Sequence, residues 1–306
     1  MSLILVGLNH RTAPVEVREQ MSVAEREWPK VVEQLLKVDG VHGAALLSTC
    51  NRVEAVVSSS DQEIVDHLVE ILSSRATISR ERIEQHLYVR RDREVVSHLF
   101  RVASGLDSMI VGEPQIAGQV KNAYRSAQSH RTLDPTLSKL FDQTLHIAKK
   151  VRTETGIGEH AVSVPYAGVE LAKKIFGDLA GLQVLLLGAG KISELTAEHL
   201  TGCGIRRVFV ANRSFERAVD LARAFQGEAV QFDQIESYLR SCDIVIASTS
   251  APHYVVTAQQ VAQAMATRKR RDLFLIDLSV PRNLDPGIGV VEGAYLYNID
   301  DLREVA

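Results

Sequence analysis

Residues 184–193, Val184-Leu185-Leu186-Leu187-Gly188-Ala189-Gly190-Lys191-Ile192-Ser193, decide the fold of this 306-residue chain. An apolar run is followed by two glycines and then by a stretch that begins a helix. This order is typical of the strand, turn and helix that hold a dinucleotide pyrophosphate at a helix N-terminus. Ser193 stands where a third glycine is usual, which predicts a slightly wider spacing between helix and strand. The alternative interpretation is a plain strand-to-helix turn.

The surrounding sequence alternates strands and helices in a regular order. Apolar runs predict strands at 183–187, 207–211, 229–232, 243–247 and 273–277. Before them, Ser163 as a cap, Pro165 in the first turn and Gly177 near the end predict a helix. Such alternation predicts a parallel sheet with helices on both faces. We therefore predict a Rossmann-like doubly wound domain at 159–293, then a final strand and the start of a helix at 294–306.

The end of the second of these strands indicates which dinucleotide is bound. An NAD enzyme usually carries an acidic residue about 20 residues after the glycine turn, to bind the ribose 2′-hydroxyl. This chain has Asn212-Arg213-Ser214 instead, and a guanidinium with a hydroxyl suits a 2′-phosphate. A solvated surface arginine is the alternative. The sequence predicts NADPH as the cofactor, bound by Gly188, Ala189, Gly190, Lys191, Ile192, Ser193, Asn212, Arg213 and Ser214.

The first half of the chain has a different sequence pattern, which predicts an α+β domain over residues 1–158. Strand-like and helix-like segments alternate to about residue 60, and helices are predicted at 61–72, 92–106, 115–130 and 133–155. Ser22 and Glu25 have capping-box spacing, and Pro29 should kink the following helix or delay its start. In the predicted helix 92–106, apolar residues recur at spacings of four, three and four, at Val95, Leu99, Val102 and Leu106. This spacing predicts one buried helix face, with His98 at its edge.

A cysteine in this first domain occupies a position suited to a nucleophile. Ser48-Thr49-Cys50-Asn51-Arg52 connects two apolar, strand-like runs, and connections between strands often carry function. The thiolate is the reactive form, and an adjacent cation such as Arg52 should lower a thiol pKa that is otherwise about 8.5. The alternative is a small buried hydrophobic residue without chemistry.

Composition excludes several classes of protein. Hydrophobic residues make up 45% and charged residues 24%, which is ordinary for a soluble protein of two domains. No apolar run is long enough to cross a membrane, and no basic stretch precedes the first apolar run. Three scattered cysteines predict neither a disulfide framework nor a metal site, which fits the cytoplasm. A net charge of −3 argues against a general nucleic-acid binder but leaves room for a local basic patch.

Four long motifs together resemble the glutamyl-tRNA reductase family. The resemblance extends from about residue 5 to the end of the chain, and its motifs are Gly7-Leu8-Asn9-His10-Arg11-Thr12-Ala13-Pro14, residues 48–54 around Cys50, Gly105-Leu106-Asp107-Ser108-Met109-Ile110-Val111-Gly112-Glu113-Pro114-Gln115-Ile116-Ala117-Gly118-Gln119, and Val151-Arg152-Thr153-Glu154-Thr155-Gly156-Ile157-Gly158. Their order along the chain makes coincidence negligible.

The resemblance implies a chemistry that joins the two domains. A cysteine attacks glutamate esterified to its tRNA, and NADPH reduces the resulting thioester to glutamate-1-semialdehyde, the first step of five-carbon tetrapyrrole synthesis. Cys50 matches the nucleophile, and His98 matches a histidine important for activity, with a role in proton transfer or only in positioning. Arg52 is suited to bind the substrate carboxylate bidentately. The family's substrate-binding positions fall on Thr49, Asn51, Arg52, Ser108, Glu113, Pro114, Gln115 and Gln119.

The resemblance also implies partners. These are glutamyl-tRNA(Glu), and glutamate-1-semialdehyde aminomutase as the candidate recipient of the aldehyde. The family continues into a long helix and a helical dimerisation domain, where this sequence stops at Ala306. We therefore expect the complete reductive machinery but not the family's homodimer from this chain by itself.

Two other functions compete. The second domain is similar to the NADP domain of shikimate dehydrogenase-like enzymes, which reduce a keto acid without a covalent intermediate. That interpretation leaves Cys50 and the motifs of the first half without a role. A non-catalytic NADP-binding or regulatory protein is the other alternative. Loss of turnover on Cys50→Ser with cofactor binding retained would separate thioester chemistry from both.

Overall fold

The chain folds as two units, Met1–Val162 and Ser163–Ala306. The structure is a computed structural model that describes residues 1–158, 163–268 and 272–304. The predicted domain boundary at 158/159 is followed by residues 159–162, which lie outside the described residues. The last two residues of the predicted C-terminal helix also lie outside them.

Unit 1 is built on an antiparallel sheet of four strands in the order β2-β3-β1-β4. The strands are β1 (Ser2–Asn9), β2 (Val41–Ser48), β3 (Arg52–Ser59) and β4 (Tyr88–Arg91). The helices are α1 (Val15–Met21), α2 (Trp28–Leu36), α3 (Val65–Ser73), α4 (Arg80–Glu84), α5 (Arg93–Ala103), α6 (Gln115–Ser129) and α7 (Pro135–Glu154), and a 3₁₀ helix follows at Gly156–Gly158. The predicted α+β organisation of this half is confirmed.

Strand β3 is buried along its whole length because both faces of the sheet are covered. Its odd-numbered residues Val53, Ala55 and Val57 join the larger core. Its even-numbered Val56 joins a smaller core with Val95, which lies on α5. Since successive strand residues point to opposite faces, Arg52 and Glu54 lie on the α5 face of the sheet. This register brings two charged residues of β3 toward the helix that carries His98.

Two local predictions for unit 1 are wrong in detail. The proposed capping box fails, because Ser22 terminates α1 and the following 3₁₀ helix has no side-chain cap. Helix α2 instead begins at Trp28 with Pro29 in its first turn, so proline delays the start, as expected. Leu106 leaves the predicted buried stripe and is 38% exposed, because α5 ends at Ala103.

Unit 2 is a parallel sheet of six strands in the order β10-β9-β8-β5-β6-β7. The strands are β5 (Gln183–Leu187), β6 (Arg207–Ala211), β7 (Glu228–Val230), β8 (Ile244–Ala247), β9 (Leu273–Asp277) and β10 (Ala294–Asn298). The helices are α8 (Val164–Phe176), α9 (Lys191–Thr201), α10 (Phe215–Ala224), α11 (Ile235–Leu239) and α12 (Ala258–Thr267). This is the doubly wound dinucleotide-binding order, which confirms the predicted fold class.

Helix α8 shows the predicted start and stop signals. Ser163 accepts a hydrogen bond from the Tyr166 amide, Pro165 lies in the first turn, and Gly177 ends the helix with φ of 75°. After β10 the chain forms a 3₁₀ helix at Ile299–Glu304 instead of the predicted α-helical start. No helix in the described part of the chain is long and apolar enough to cross a bilayer.

Candidate active site

Cys50 lies in the tight connection between β2 and β3. The Thr49 amide donates to the Arg52 carbonyl at 2.8 Å, and the Thr49 hydroxyl accepts from the Asn51 and Arg52 amides at 3.1 and 3.2 Å. The His10 amide donates to the Asn51 carbonyl at 2.8 Å, which ties this turn to the end of β1. The backbone of the Cys50 loop is therefore fixed on both sides of the cysteine, a residue that is half-buried as a whole.

A buried arginine that the sequence analysis did not single out supports this loop. Arg18 on α1 is 1% exposed, and its Nε donates to the Cys50 carbonyl at 3.2 Å. Its Nη1 donates to the Ala13 carbonyl at 2.9 Å. Only its position among valines in a short helix, Val15-Glu16-Val17-Arg18, could have indicated burial, and that signal is weak. Arg18 is thus a second cation near Cys50, although it lies 32 residues away in sequence.

The structure corrects the predicted state of the thiol. Burial is the largest effect on Cys50, and together with the nearby Glu113 carboxylate it raises the pKa of the thiol to about 12. Arg18 and Arg52 oppose this rise, with Arg52 the weakest contributor. Arg52 therefore does not yield a low-pKa thiolate, and Cys50 is protonated at neutral pH in the structure as it stands.

We expect slow alkylation of Cys50 by iodoacetamide in the substrate-free protein. With a pKa of about 12 in place of 9.0, the thiolate fraction at pH 8 falls roughly a thousandfold. The rate should then rise about tenfold per pH unit to at least pH 10, because the thiolate is the reactive form. Peptide mass spectrometry over a pH series measures the modification of Cys50 separately from that of Cys203.

The matched variant for this experiment is Glu113→Gln. Removing the carboxylate lowers the pKa of Cys50, so alkylation at pH 8 should become faster. Alkylation of the unmodified sequence at pH 8 as fast as that of a free thiol would contradict the buried, protonated state.

Beyond the loop, Arg52 belongs to a buried network of charges. Arg52 is 1% exposed, and its Nη1 donates to Glu54 Oε1 at 2.7 Å, while its Nη2 donates to the Asp107 carbonyl at 2.5 Å. His98 Nε2 lies 2.8 Å from Glu54 Oε1, which also accepts from the Tyr88 hydroxyl. Although burial alone would raise it, the pKa of Glu54 is lowered to about 2, by Arg52 first and then by His98. Glu54 is accordingly a permanent anion at the centre of the network.

This network changes the expected role of Arg52. Both terminal nitrogens are occupied by Glu54 and Asp107, and the side chain is almost fully buried. A bidentate grip on a substrate carboxylate would require both partners to be displaced, so the structure does not support that prediction. Arg52 instead links the Cys50 turn to α5 through Glu54 and His98. Glu54, Tyr88 and Asp107 are members of this network that the sequence analysis left out of the site.

Other predicted substrate-binding residues present buried polar groups. The Asn51 side-chain oxygen and the Gln115 side-chain nitrogen are buried without a hydrogen-bond partner among the described residues. Glu113 is 6% exposed, and burial is the main cause of the rise in its pKa. Since buried polar atoms are normally paired, these orphaned groups are what a polar ligand would satisfy.

The remaining predicted substrate-binding residues lie on α6 or in the segment before it. Pro114 caps this helix, and Gln119 follows Gln115 by one helical turn and so lies on the same face. Ser108 is buried in the segment before α6, and its hydroxyl helps to hold the pKa of Glu113 down against burial. The electrostatic effect of Glu113 on Cys50 places at least part of this segment close to the thiol.

In unit 2 the glycine turn has the geometry of a phosphate site. Gly188 has φ of 110°, and a Cβ there would lie 2.5 Å from the Ser248 carbonyl oxygen, so only glycine fits. Around Gly190 the space is open, and no side chain caps the N-terminus of α9. The first amides of α9 therefore point into open space at the carboxyl end of β5, next to the point where the strand order reverses.

Ser193 replaces the third glycine without leaving a buried hydroxyl unpaired. It is 2% exposed, and its Oγ lies 2.6 Å from the Ser248 Oγ, after β8. Lys191 is exposed and pairs with Glu194 at 2.9 Å. The serine therefore joins α9 to the loop beyond β8, and the turn keeps the shape that a pyrophosphate requires.

The predicted 2′-phosphate residues lie together after β6. Asn212 Nδ2 donates to the Ser214 carbonyl at 2.9 Å, and the Ser214 hydroxyl donates to Glu216 at 2.9 Å. Arg213 is exposed and makes no hydrogen bond or ion pair with a residue that the structure describes. Arg213 is thus available for an anionic ligand beside a hydroxyl.

A second buried network, which sequence reasoning missed, shapes the loop after β9. Asp277 accepts backbone hydrogen bonds from Ser279, Asn283 and Leu284 at 3.0, 2.7 and 2.7 Å. Asn283 Oδ1 accepts in turn from the Thr249 amide at 3.0 Å, in the loop after β8. Burial is the main cause that raises the pKa of Asp277 to about 6. The network joins two loops at the carboxyl edge of the sheet, where Rossmann ligands bind.

Comparisons with known proteins agree on one family. The family model described as glutamyl-tRNAGlu reductase, N-terminal domain, matches residues 6–155, and the model for shikimate/quinate 5-dehydrogenase matches residues 170–305. The chain is 47% identical to a glutamyl-tRNA reductase of Thermodesulfovibrio yellowstonii and 46% identical to one of Syntrophus aciditrophicus, and each alignment covers 100% of this chain and 73% of the relative. The solved glutamyl-tRNA reductase of Methanopyrus kandleri is 39% identical with a TM-score of 0.51, over 99% of this chain and 73% of that one.

Proposed function

The chain belongs to the glutamyl-tRNA reductase family of oxidoreductases, which act in tetrapyrrole biosynthesis, and on that premise we propose that it reduces glutamyl-tRNA(Glu) to glutamate-1-semialdehyde with NADPH through a thioester on Cys50. The observation that carries the proposal is the Cys50 turn, where a fixed thiol is accompanied by the buried Arg18 cation, the Glu113 carboxylate and the orphaned side-chain oxygen of Asn51. A site of this kind suits the binding of a small polar acyl group next to a nucleophilic thiol.

The first step is attack of the Cys50 sulfur on the glutamyl ester. A C–S bond forms, the ester C–O bond breaks, and the tRNA 3′-oxygen leaves with the proton from the thiol. Because burial and Glu113 hold the thiol protonated, the substrate has to change this balance. We propose that the glutamyl α-ammonium binds at Glu113, which neutralises that carboxylate and places positive charge beside the sulfur. Activation of the nucleophile is then coupled to recognition of the amino acid.

His98 acts in this scheme through Glu54. Its described hydrogen bond goes from Nε2 to the Glu54 carboxylate, and Glu54 in turn holds Arg52 at the start of β3. His98, Glu54 and Arg52 are therefore positioning residues for the Cys50 turn. Thr49 sets the turn itself, and Asn51, Ser108, Gln115 and Gln119 remain the proposed contacts for the polar groups of the glutamyl ester.

The residues of unit 2 fit NADPH. The open space at Gly190 and the start of α9 suit its pyrophosphate, and the exposed Arg213 suits its 2′-phosphate, whereas the Ser214 hydroxyl would have to leave Glu216 to donate to it. When bound, NADPH supplies the hydride that converts the thioester to the aldehyde and releases the sulfur. Gly188, Ala189, Lys191, Ile192 and Ser193 form the rest of the proposed turn, and Asn212 orients the loop through the Ser214 carbonyl.

Arg213→Ala is expected to weaken the binding of NADPH but not that of NADH. A charge-assisted hydrogen bond contributes about 1.5–3 kcal/mol, so the Kd for NADPH should rise roughly 10- to 100-fold. NADH lacks the 2′-phosphate and should bind as before. Fluorescence titration of both cofactors measures the ratio.

The matched control is Arg223→Ala, which removes an exposed arginine in the last turn of α10, ten residues after Arg213. Its Kd for NADPH should stay within about twofold, because the helical rise of about 1.5 Å per residue sets Arg223 about 12 Å beyond the start of α10, farther than the Debye length of about 8 Å at physiological salt. An equal loss for NADPH and NADH in Arg213→Ala would argue against recognition of the 2′-phosphate.

The proposed function is tested by NADPH oxidation with glutamyl-tRNA, beside shikimate-type keto acids and free glutamate. Oxidation only with the ester, with aldehyde appearing in equal amount, is the expected result. Turnover of a keto acid would support the dehydrogenase suggested by residues 170–305 alone. Binding of cofactor without turnover of any substrate would support a non-catalytic protein.

The product and the cysteines suggest a partner and a location. An amino aldehyde is reactive, so we propose that glutamate-1-semialdehyde aminomutase receives it from this enzyme. Cys50, Cys203 and Cys242 are all free thiols, which fits a reducing compartment, and we propose the cytoplasm.

A further inference from the structure

A cleft of about 420 Å³ on unit 1 is lined by arginines from three separate elements. Arg11 follows β1, Arg90 lies on β4 and Arg101 lies on α5. None of these residues was assigned a role in the proposed reaction. The cleft is also lined by Glu94 and by Tyr88, His98 and Asp107 of the buried network, so it adjoins the proposed site. Its three guanidiniums outnumber its two carboxylates, which indicates an anionic ligand.

The arginines of the cleft are largely available. Arg90 and Arg101 are exposed, and neither forms an ion pair within the described part of the chain. Arg90 lies over the Tyr88 ring at 5.4 Å, which holds its guanidinium at the cleft wall. Arg11, whose side chain is 49% exposed, pairs with Asp107 at 3.0 Å. Two guanidiniums can thus bind a ligand without the loss of an existing ion pair.

The sequence around the cleft is basic although the whole chain is acidic. Residues 75–101 contain seven arginines and four acidic residues, in a chain with a net charge of −3. Arg80 and Arg75 are paired with carboxylates on the surface, which leaves the excess of positive charge toward β4 and α5. A local basic surface on an acidic protein points to a polyanionic partner.

The cleft borders the Cys50 turn. Asp107 pairs with Arg11 on the cleft side and with the buried Arg52 on the other. Asn9 also lines the cleft, and the next residue, His10, donates its amide to the Asn51 carbonyl beside Cys50. A substrate whose ester lies at Cys50 would therefore carry the groups next to that ester into or along this cleft.

We propose that the cleft binds the sugar-phosphate backbone of the acceptor end of the tRNA, a proposal that rests on the proposed function. Guanidinium groups bind phosphodiesters bidentately, which suits Arg90 and Arg101. The acceptor end is single-stranded, and bases of such ends also stack on arginine planes, which the Arg90 guanidinium, held over the Tyr88 ring, can provide. Unit 1 then recognises the tRNA as well as its glutamyl group.

The double variant Arg90→Gln with Arg101→Gln tests this proposal. We expect the KM for glutamyl-tRNA to rise at least about tenfold and the salt dependence of tRNA binding to weaken by about one to two phosphate contacts. The loss in kcat/KM should be much smaller with glutamate esterified to a small alcohol, because that substrate carries no phosphate. Arg125→Gln, which removes an exposed arginine of α6, is the matched control and should leave the KM for glutamyl-tRNA unchanged.

Filter binding of uncharged tRNA keeps the proposal separate from the chemistry. If the unmodified chain reduces neither ester, the proposed function fails, yet weaker tRNA binding by the double variant would still support the cleft. Equal losses with both esters, or unchanged tRNA binding, would overturn the cleft proposal. Inorganic phosphate is the comparison ligand, and competition by millimolar phosphate with no difference in tRNA binding between variant and parent would likewise overturn it.

Discussion

Replacing Cys50 with serine is expected to abolish reduction of glutamyl-tRNA. Loss of a covalent nucleophile costs on the order of 10⁴-fold or more in kcat. A serine hydroxyl in the same turn is a much weaker nucleophile than a thiol, and the described hydrogen bond of His98 goes to Glu54. NADPH oxidation under saturating glutamyl-tRNA measures the loss, and mass spectrometry should show a covalent glutamyl adduct on the parent chain only.

The control for this prediction is Cys203→Ser at the end of α9. Its sulfur donates to the His199 carbonyl at 3.1 Å, a local contact that a hydroxyl can reproduce. Turnover should therefore stay close to that of the parent. The titrated NADPH affinity of both variants should also be unchanged. Activity of Cys50→Ser within tenfold of the parent would rule out the thioester route.

The second large effect is on stability, in Glu54→Gln. This change leaves Arg52, which is 1% exposed, with only the Asp107 carboxylate at 3.4 Å as an ionic partner. Breaking a buried ion pair on one side typically costs about 3–5 kcal/mol, because the remaining charge stays desolvated. We expect a loss of about this size in the free energy of unfolding of unit 1, together with loss of turnover.

Urea unfolding followed by tryptophan fluorescence measures this loss in unit 1 alone. The chain contains one tryptophan, Trp28, which is 5% exposed in the core of unit 1. Glu27→Gln is the control, since it removes one partner of a surface ion pair with Arg75 and should change the midpoint little. An unchanged midpoint in Glu54→Gln would mean that the network does not stabilise the fold.

Local patterns in the sequence were sufficient for the fold class and for the glycine turn between β5 and α9. A strand, two glycines and a helix are consecutive, and each is selected by residues a few positions apart. The helix cap at Ser163 was predictable for the same reason. The short edge strand β4 escaped prediction because its residues Tyr88–Arg91 are mostly exposed and lack an apolar alternation.

What the sequence by itself determined is therefore the two-part organisation, the Rossmann-like sheet and the placement of Cys50 on a turn between strands. Tertiary structure alone decided the state of that thiol and the partners of Arg52. Glu54 and His98 are 44 residues apart, and Arg52 and Asp107 are 55 apart. Such contacts leave no periodic trace in the sequence, and desolvation, which raises the pKa of Cys50, depends on which segments cover it.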